Sequence, residues 1–306
     1  MKIIFFCPSA TVINGGIKHI FRMAEALIAQ GHDAAVFEQN GQRPAWFAST
    51  APIAGQGIFD AKADHLYVLP EDQPRILADF AQLPQRKIVY SQNPFYGALG
   101  VMAPASYADF GVTDILCASR MIYDHARIRH PKLRAHLVPC AVDPLFKPAA
   151  VKRDIIAFMP RKRPIEAAYI RDMFRFTHPQ WNAWEWREIS NASEAEAARM
   201  LGEARVFLSL SRLEGFGLTP LEAMAAGCVV AGFTGIGGRE YATPQNGFWA
   251  DEDDFPACVA ALARAVEESR APAAARQEAA RQIIAAYTPE TFARGVKDVW
   301  GQILSS

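Results

Sequence analysis

The chain has 306 residues, 51% of them hydrophobic and 21% charged, and its 32 Lys and Arg balance 32 Asp and Glu. That length accommodates two cores, and the even charge excludes the global positive field of a nucleic-acid binder. Five cysteines, at 7, 117, 140, 228 and 258, lack C-x-x-C spacing and stand mostly in apolar runs, which excludes a zinc or disulfide frame and predicts reduced core thiols.

In chain order, Lys2 to Cys7 predicts a first strand, and Pro8 with Asn14-Gly15-Gly16 a loop. Ile17, Ile20, Phe21, Ala24, Leu27 and Ile28 then recur at helical spacing until Gly31. The unit lacks G-x-G-x-x-G, so spacing alone does not mark a dinucleotide site. Further strands are predicted at 34–37, 66–69, 88–90, 115–118 and 137–139, with a loop carrying Trp46 and Phe47 after the second. Strands alternating with helices predict a doubly wound sheet. Ser91-Gln92-Asn93-Pro94 follows the strand at 88–90, at the carboxyl edge where ligands of such sheets bind, so Gln92 and Asn93 are candidate residues.

Residues 120–136 are the densest basic stretch, with Arg120, Arg127, Arg129, Lys132 and Arg134 beside His125, His130 and His136. The readings are a solvated face, or contact with anionic lipid or an acidic acceptor. Prolines in Ala141 to Pro148 and the polar Lys152 to Asp154 suit a domain boundary. Ile155 to Met159 opens a second sheet and is followed by Pro160-Arg161-Lys162-Arg163-Pro164, cations able to neutralise a leaving diphosphate. Trp184 to Ile189 is the next strand, and Ser193-x-x-Glu196 opens the next helix. Three helices are predicted at the end, at 255–268, 273–287 and 289–304. No apolar run reaches the ~18 residues of a membrane span, and no charged leader with a long apolar segment opens the chain. The expectation is a cytoplasmic protein, with peripheral contact with the membrane's inner face through the basic stretch.

The most informative stretch is Ser211-Arg-Leu-Glu-Gly-Phe-Gly-Leu-Thr-Pro-Leu-Glu-Ala-Met-Ala-Ala-Gly227. It follows the apolar strand Val206 to Leu210 and precedes another at Val229 to Phe233. Thr219 is predicted as an N-cap with Pro220 at the first helical position and Glu222 closing a T-x-x-E box. Gly215 and Gly217 allow close approach, and the N–H groups of Leu218 and Thr219 offer an anion site. Glu214 and Glu222 flank that site, and carboxylates accept hydrogen bonds from sugar hydroxyls. A diphosphate with hydroxylated rings on both sides fits the pattern, which describes a nucleotide-sugar.

This E-G-F-G-L-T-P-L-E-A-M-A-A-G segment resembles the E-x7-E signature of retaining glycosyltransferases of the GT-B fold, especially glycosyltransferase family four. The resemblance implies two Rossmann-like domains facing a cleft: an acceptor domain at 1–149, a donor domain at 150–288, and a C-terminal helix at 289–306 crossing back to the first. It implies that Glu214 contacts the donor sugar, that Gly215, Phe216, Gly217, Leu218 and Thr219 bind phosphate, and that Glu222 binds the ribose. Arg161 and Lys162 would stabilise the leaving group. Gly16 would lie against the donor phosphates, and Gly15, Gln92 and Asn93 against acceptor or cleft. Many relatives carry a histidine near 92, which this chain lacks. The implied activity is a metal-independent, retaining sugar transfer with no cofactor, to a glycan, lipid-linked or small-molecule acceptor. A GT-B epimerase or phosphorylase, and a non-catalytic nucleotide-sugar binder, are the alternatives. Gly237-Gly238-Arg239-Glu240 and Asn246-Gly247 match further family features without an assigned role.

Overall fold

The computed structural model describes residues 1–271 and 275–305. The chain folds as two compact units, Met1–Cys140 with Glu290–Ser306, and Ala141–Pro289.

The first unit contains β1 (Lys2–Cys7), α1 (Gly15–Ala29), β2 (Ala34–Glu38), β3 (His65–Pro70), α2 (Pro74–Ala81), β4 (Arg86–Ser91), α3 (Pro94–Gly100), β5 (Val112–Cys117), α4 (Arg120–Arg129) and β6 (Arg134–Leu137). Its six strands pair in parallel in the order β2-β1-β3-β4-β5-β6. Strands covered on both faces read as continuous apolar runs, which is why KIIFFC and HLYVLP form β1 and β3. Asn14 starts α1 by accepting the Gly16 N–H at 2.8 Å, so that the two glycines sit in the helix's first turn rather than in a loop.

The second unit contains β7 (Arg153–Phe158), α5 (Pro164–Thr177), β8 (Glu185–Glu188), α6 (Glu194–Glu203), β9 (Ala204–Glu214), α7 (Leu218–Ala225), β10 (Val229–Ile236), β11 (Phe248–Ala250), α8 (Phe255–Glu268) and α9 (Ala275–Ile284). Its five strands are parallel in the order β11-β10-β9-β7-β8. Ile156, Val206, Leu208 and Phe233 pack against Ile170 and Phe174 of α5 and Leu262 of α8, each such side chain contributing about 1.5–3 kcal/mol of burial. The last helix, α10 (Pro289–Leu304), groups with the first unit. There Trp300 packs on Phe5 at 5.9 Å between ring centroids, and the Ala293 carbonyl accepts from Gln30 Nε2 at 2.8 Å.

Both sheets are the α/β, doubly wound kind that alternating strands and helices predict. Several bounds differ. The first unit ends at Cys140, so 141–149 packs with the second unit instead of closing the first: the Ala149 N–H donates to the Gly202 carbonyl at 3.0 Å, and Pro148 fills the space over Gly227. Strand β9 runs on to Glu214 because its pairing with β10 continues through a bulge to Ile236. The expected helix at 273–287 starts on residues that lie outside the described ones. All five cysteines are buried free thiols, and no helix among the described residues is long and apolar enough to cross a membrane.

Candidate active site

In the second unit β7 is followed in sequence by β8 on one side of it, while β9 lies on the other. The loops leaving the carboxyl ends of β7 and β9 therefore diverge, and ligands of open α/β sheets bind in the crevice so formed. The loop after β7 carries Arg161, Lys162 and Arg163, and the end of β9 carries Glu214. Lys162 Nζ lies 2.8 Å from Glu214 Oε1 and donates to the Arg212 carbonyl at 3.1 Å, so these two candidates face each other across the switch point.

Backbone conformation shapes the same spot. Leu213 has φ 47° and Ile236 φ 73° with ψ −61°; positive φ at a β-branched residue is a high-energy conformation that persists only when its surroundings impose it. Those surroundings are tight: a Cβ on Gly237 would sit 2.5 Å from the Glu214 carbonyl oxygen. The turn after β10 is thereby pressed against the Glu214-Gly215 backbone and fixes where the glutamate starts.

Helix α7 begins at Leu218, with Gly217 as N-cap at φ 87° and no capping side chain. The predicted T-x-x-E box is absent, because Thr219 and Pro220 already lie inside the first turn, where a proline needs no N–H partner. Glu222 is then one full turn past Leu218 on the same helix face, too far in to close the helix end, and it is buried. This removes capping as a reason for Glu222. The Leu218 and Thr219 N–H groups remain the first-turn donors of α7, as the sequence reading has it, and the helix adds partial positive charge there. Tyr241 donates its hydroxyl to the Gly217 carbonyl and packs on Phe216 at 5.6 Å, while burial pushes its phenol well above the ordinary range. A neutral phenol anchoring the Gly217 carbonyl fixes the loop that presents the two N–H groups.

The three cations divide by environment. Arg163 is 1% exposed, pairs with Glu252 at 2.7 Å and with Asp253, donates to the Ser211 carbonyl at 3.3 Å and lies 4.5 Å over the Phe233 ring. Glu252 in turn accepts the Gly235 N–H at 2.8 Å. Arg163 is thus a fastener between the loops after β7 and β11, whereas Arg161 is exposed and Lys162 is half-buried beside Glu214.

In the first unit the equivalent switch point lies between β1 and β3. Gln92 Nε2 donates to the Gly16 carbonyl at 3.1 Å, which brings Gly15, Gly16, Gln92 and Asn93 together. A Cβ on Gly16 would overlap the Gln92 carboxamide oxygen, so the glycine is required for that contact. The group that organises them, Glu71, is not a sequence candidate: its Oε1 accepts the N–H of Gln92 at 2.9 Å and of Asn93 at 2.8 Å. Its signal is an acid directly after an apolar strand, the place where this fold keeps its ligands. Of the aromatic pair, Phe47 is core, packed on Phe21 at 5.6 Å, and Trp46 Nε1 donates to the Ala10 carbonyl at 3.2 Å.

Half of the basic stretch is bonded into the fold. Arg134 and His136 bind the fully buried Asp114 at 3.0 and 2.8 Å, together with Arg86 at 2.8 Å. Arg129 donates to the carbonyls of Val101 and Ala105, and His130 is buried against Tyr107. Arg120, Arg127 and Lys132 remain on the surface, with Arg120 paired to Asp124 at 3.1 Å.

This geometry has counterparts among known proteins. Two parallel, Rossmann-like sheets in one α/β chain match the GT-B architecture. Anabaena Alr3699/HepE, solved in complex with UDP and glucose, is similar with TM-score 0.73 and 12% identity over 99% of this chain and 100% of that one. Sucrose-phosphate synthase from Thermosynechococcus elongatus is similar with TM-score 0.69 and 16% identity over 99% of each chain. Residues 188–282 match the family described as Glycosyl transferases group 1. In sequence, the chain is 26% identical over 244 residues to an Alpha-1,6-glucosyltransferase of Actinobacillus pleuropneumoniae serotype 7 (strain AP76), covering 72% of this chain and 69% of that protein. The stretch that matches this family lies in the second unit and includes β9, α7 and Glu252.

Proposed function

We infer that this chain is a glycosyltransferase that moves a sugar from a nucleotide-sugar to an acceptor hydroxyl, with retention of configuration and without a bound metal. The observation that carries the reading is the meeting of Lys162 and Glu214 at the switch point, with the first turn of α7 and the buried Glu222 following within eight residues. The diphosphate lies on the Leu218 and Thr219 N–H groups, approached closely over Gly215, Phe216 and Gly217. Glu222 accepts from the ribose hydroxyls and Glu214 from those of the sugar. As the bond from the anomeric carbon to the β-phosphate oxygen breaks, charge grows on that phosphate, where Lys162 and the exposed Arg161 stabilise it more than in the ground state. The acceptor oxygen bonds to the anomeric carbon from the same face, and its proton passes to the departing phosphate. That route needs no protein base, which accommodates Gln92 in place of a histidine. Gly15, Gln92 and Asn93 line the acceptor side. UDP-glucose is the donor to try first, since it joins the glucosyl group of the sequence relative to the UDP of the structural one.

The test is transfer from UDP-glucose to a panel of glycans, lipid-linked sugars and small polyols, with slow donor hydrolysis followed where no acceptor is supplied. Turnover in excess EDTA with the product's α-anomer is expected. Nucleotide binding with neither hydrolysis nor transfer would leave a non-catalytic binder, and sugar released as the 1-phosphate would indicate a phosphorylase.

We also propose peripheral membrane contact through Arg127 and Lys132, beside which Ile128 is 84% exposed. Exposed apolar and cationic side chains together suit an anionic bilayer surface. Arg129 and Arg134 are left out because they hold the fold. Sedimentation with anionic vesicles at low salt should be lost in the Arg127→Gln, Lys132→Gln double variant; wild type that ignores such vesicles overturns the proposal.

A further inference from the structure

Glu71 is 6% exposed, follows β3 directly, and has no cation paired with it among the described residues. Two neighbouring amides, those of Gln92 and Asn93, converge on one of its oxygens, and the Tyr107 hydroxyl donates to its main-chain carbonyl at 2.9 Å. Asn93 also starts α3 by accepting the Phe95 N–H at 3.0 Å. Glu71 therefore joins the carboxyl ends of β3 and β4, and through Gln92 it reaches Gly16 in the first turn of α1.

We infer that Glu71 is a positioning residue for the acceptor: in its charged form it holds the Gln92-Asn93 turn by two main-chain amides and so sets the Gln92 carboxamide across Gly16. The inference rests on the reading of this unit as the acceptor side. A carboxylate accepts such bonds more strongly than a carboxylic acid, so protonation loosens the turn without removing it. Burial pushes the Glu71 carboxyl up to about 7, opposed by the amides of Gln92, of Glu71 itself and of Asn93, with nearby Asp72 adding to the rise. The other titratable groups facing it stay neutral in that range. Burial raises the Tyr90 and Tyr107 phenols, and pushes the Cys117 thiol up to about 12.

A carboxyl raised from 4.5 to about 7 in the folded state makes stability fall as pH rises across that window, because the folded protein holds its proton longer than the unfolded chain. The Gln variant removes this penalty, and it also loses the tight form of the turn.

The experiment follows the amide resonances of Gln92 and Asn93 in the full chain between about pH 5 and 8.5, in wild type and Glu71→Gln. In wild type both amides should titrate together with a midpoint near 7, and in the variant they should not. Glu71→Gln should melt higher than wild type at pH 8 and not at pH 5. In transfer assays it should raise the acceptor KM about tenfold at pH 8, leave the donor KM unchanged and flatten the pH profile. Amides that do not move with pH in wild type overturn the inference, whatever the enzyme's acceptor is. Titrating amides with no transfer to any acceptor would keep the Glu71 contact and overturn its role in catalysis.

Discussion

The two switch points are built differently. In the second unit the groups we assign to the donor come mostly from one continuous stretch, Glu214 to Glu222, with a long-range partner in Lys162. In the first unit the corresponding cluster is assembled from three strand ends, Gly16 after β1, Glu71 after β3 and Gln92 with Asn93 after β4, which are far apart in the chain. The first arrangement is fixed by backbone conformation at Gly217, by the turn at Ile236 pressed against it and by the Tyr241 anchor. The second is held by hydrogen bonds to one buried acid, so its tightness depends on that acid's charge.

Breaking the donor side should have the larger consequences, and it separates scaffold from chemistry. Arg163→Ala leaves Glu252 unmatched and empties the buried space over the Phe233 ring, which should lower the denaturation midpoint clearly. Lys162→Ala, one residue earlier, should lower turnover roughly 100- to 1,000-fold with little change in that midpoint. Equal loss of stability in both would erase the distinction between fastener and catalyst. Glu222→Gln should weaken nucleotide binding about tenfold by calorimetry, the share of one charged hydrogen bond.

A smaller, pH-dependent effect belongs to the first unit. Asp114 is fully buried, and its desolvation is outweighed by hydrogen bonds from His136, Arg86, Thr113 and Arg134, which hold its carboxyl below the usual range. A depressed pKa contributes stability that is complete above the unfolded value of about 3.9 and is lost as pH falls below it. The melting temperature should therefore drop below about pH 4 in wild type, and Asp114→Asn should be less stable at neutral pH with a flatter acid limb.

How much the sequence discloses follows the same division. The alternation of strands and helices and the donor loop are legible because each is encoded locally, by apolar runs and by glycines next to a helix start. The start of α7 is displaced by two positions in that reading because a proline fits anywhere in a first turn, and only the Tyr241 hydroxyl, from twenty-four residues on, shows which carbonyl begins the helix. The choice between Arg163 and its neighbours is likewise hidden, since Glu252 and Asp253 read as part of an ordinary acidic surface run until the fold brings them to the guanidinium. The basic stretch misleads for the converse reason: Arg134 and His136 look like surface charge, but β5 places Asp114 beneath them.

Whether the nucleotide's diphosphate sits on the first turn of α7 is tested most directly by amide resonances during a UDP titration. Leu218 and Thr219 N–H signals should move to lower field along a single binding curve, as donors do when they gain a phosphate oxygen, with a curve displaced to higher UDP in Lys162→Ala. Saturable UDP binding that leaves both amides unmoved, while signals elsewhere shift, would contradict the account.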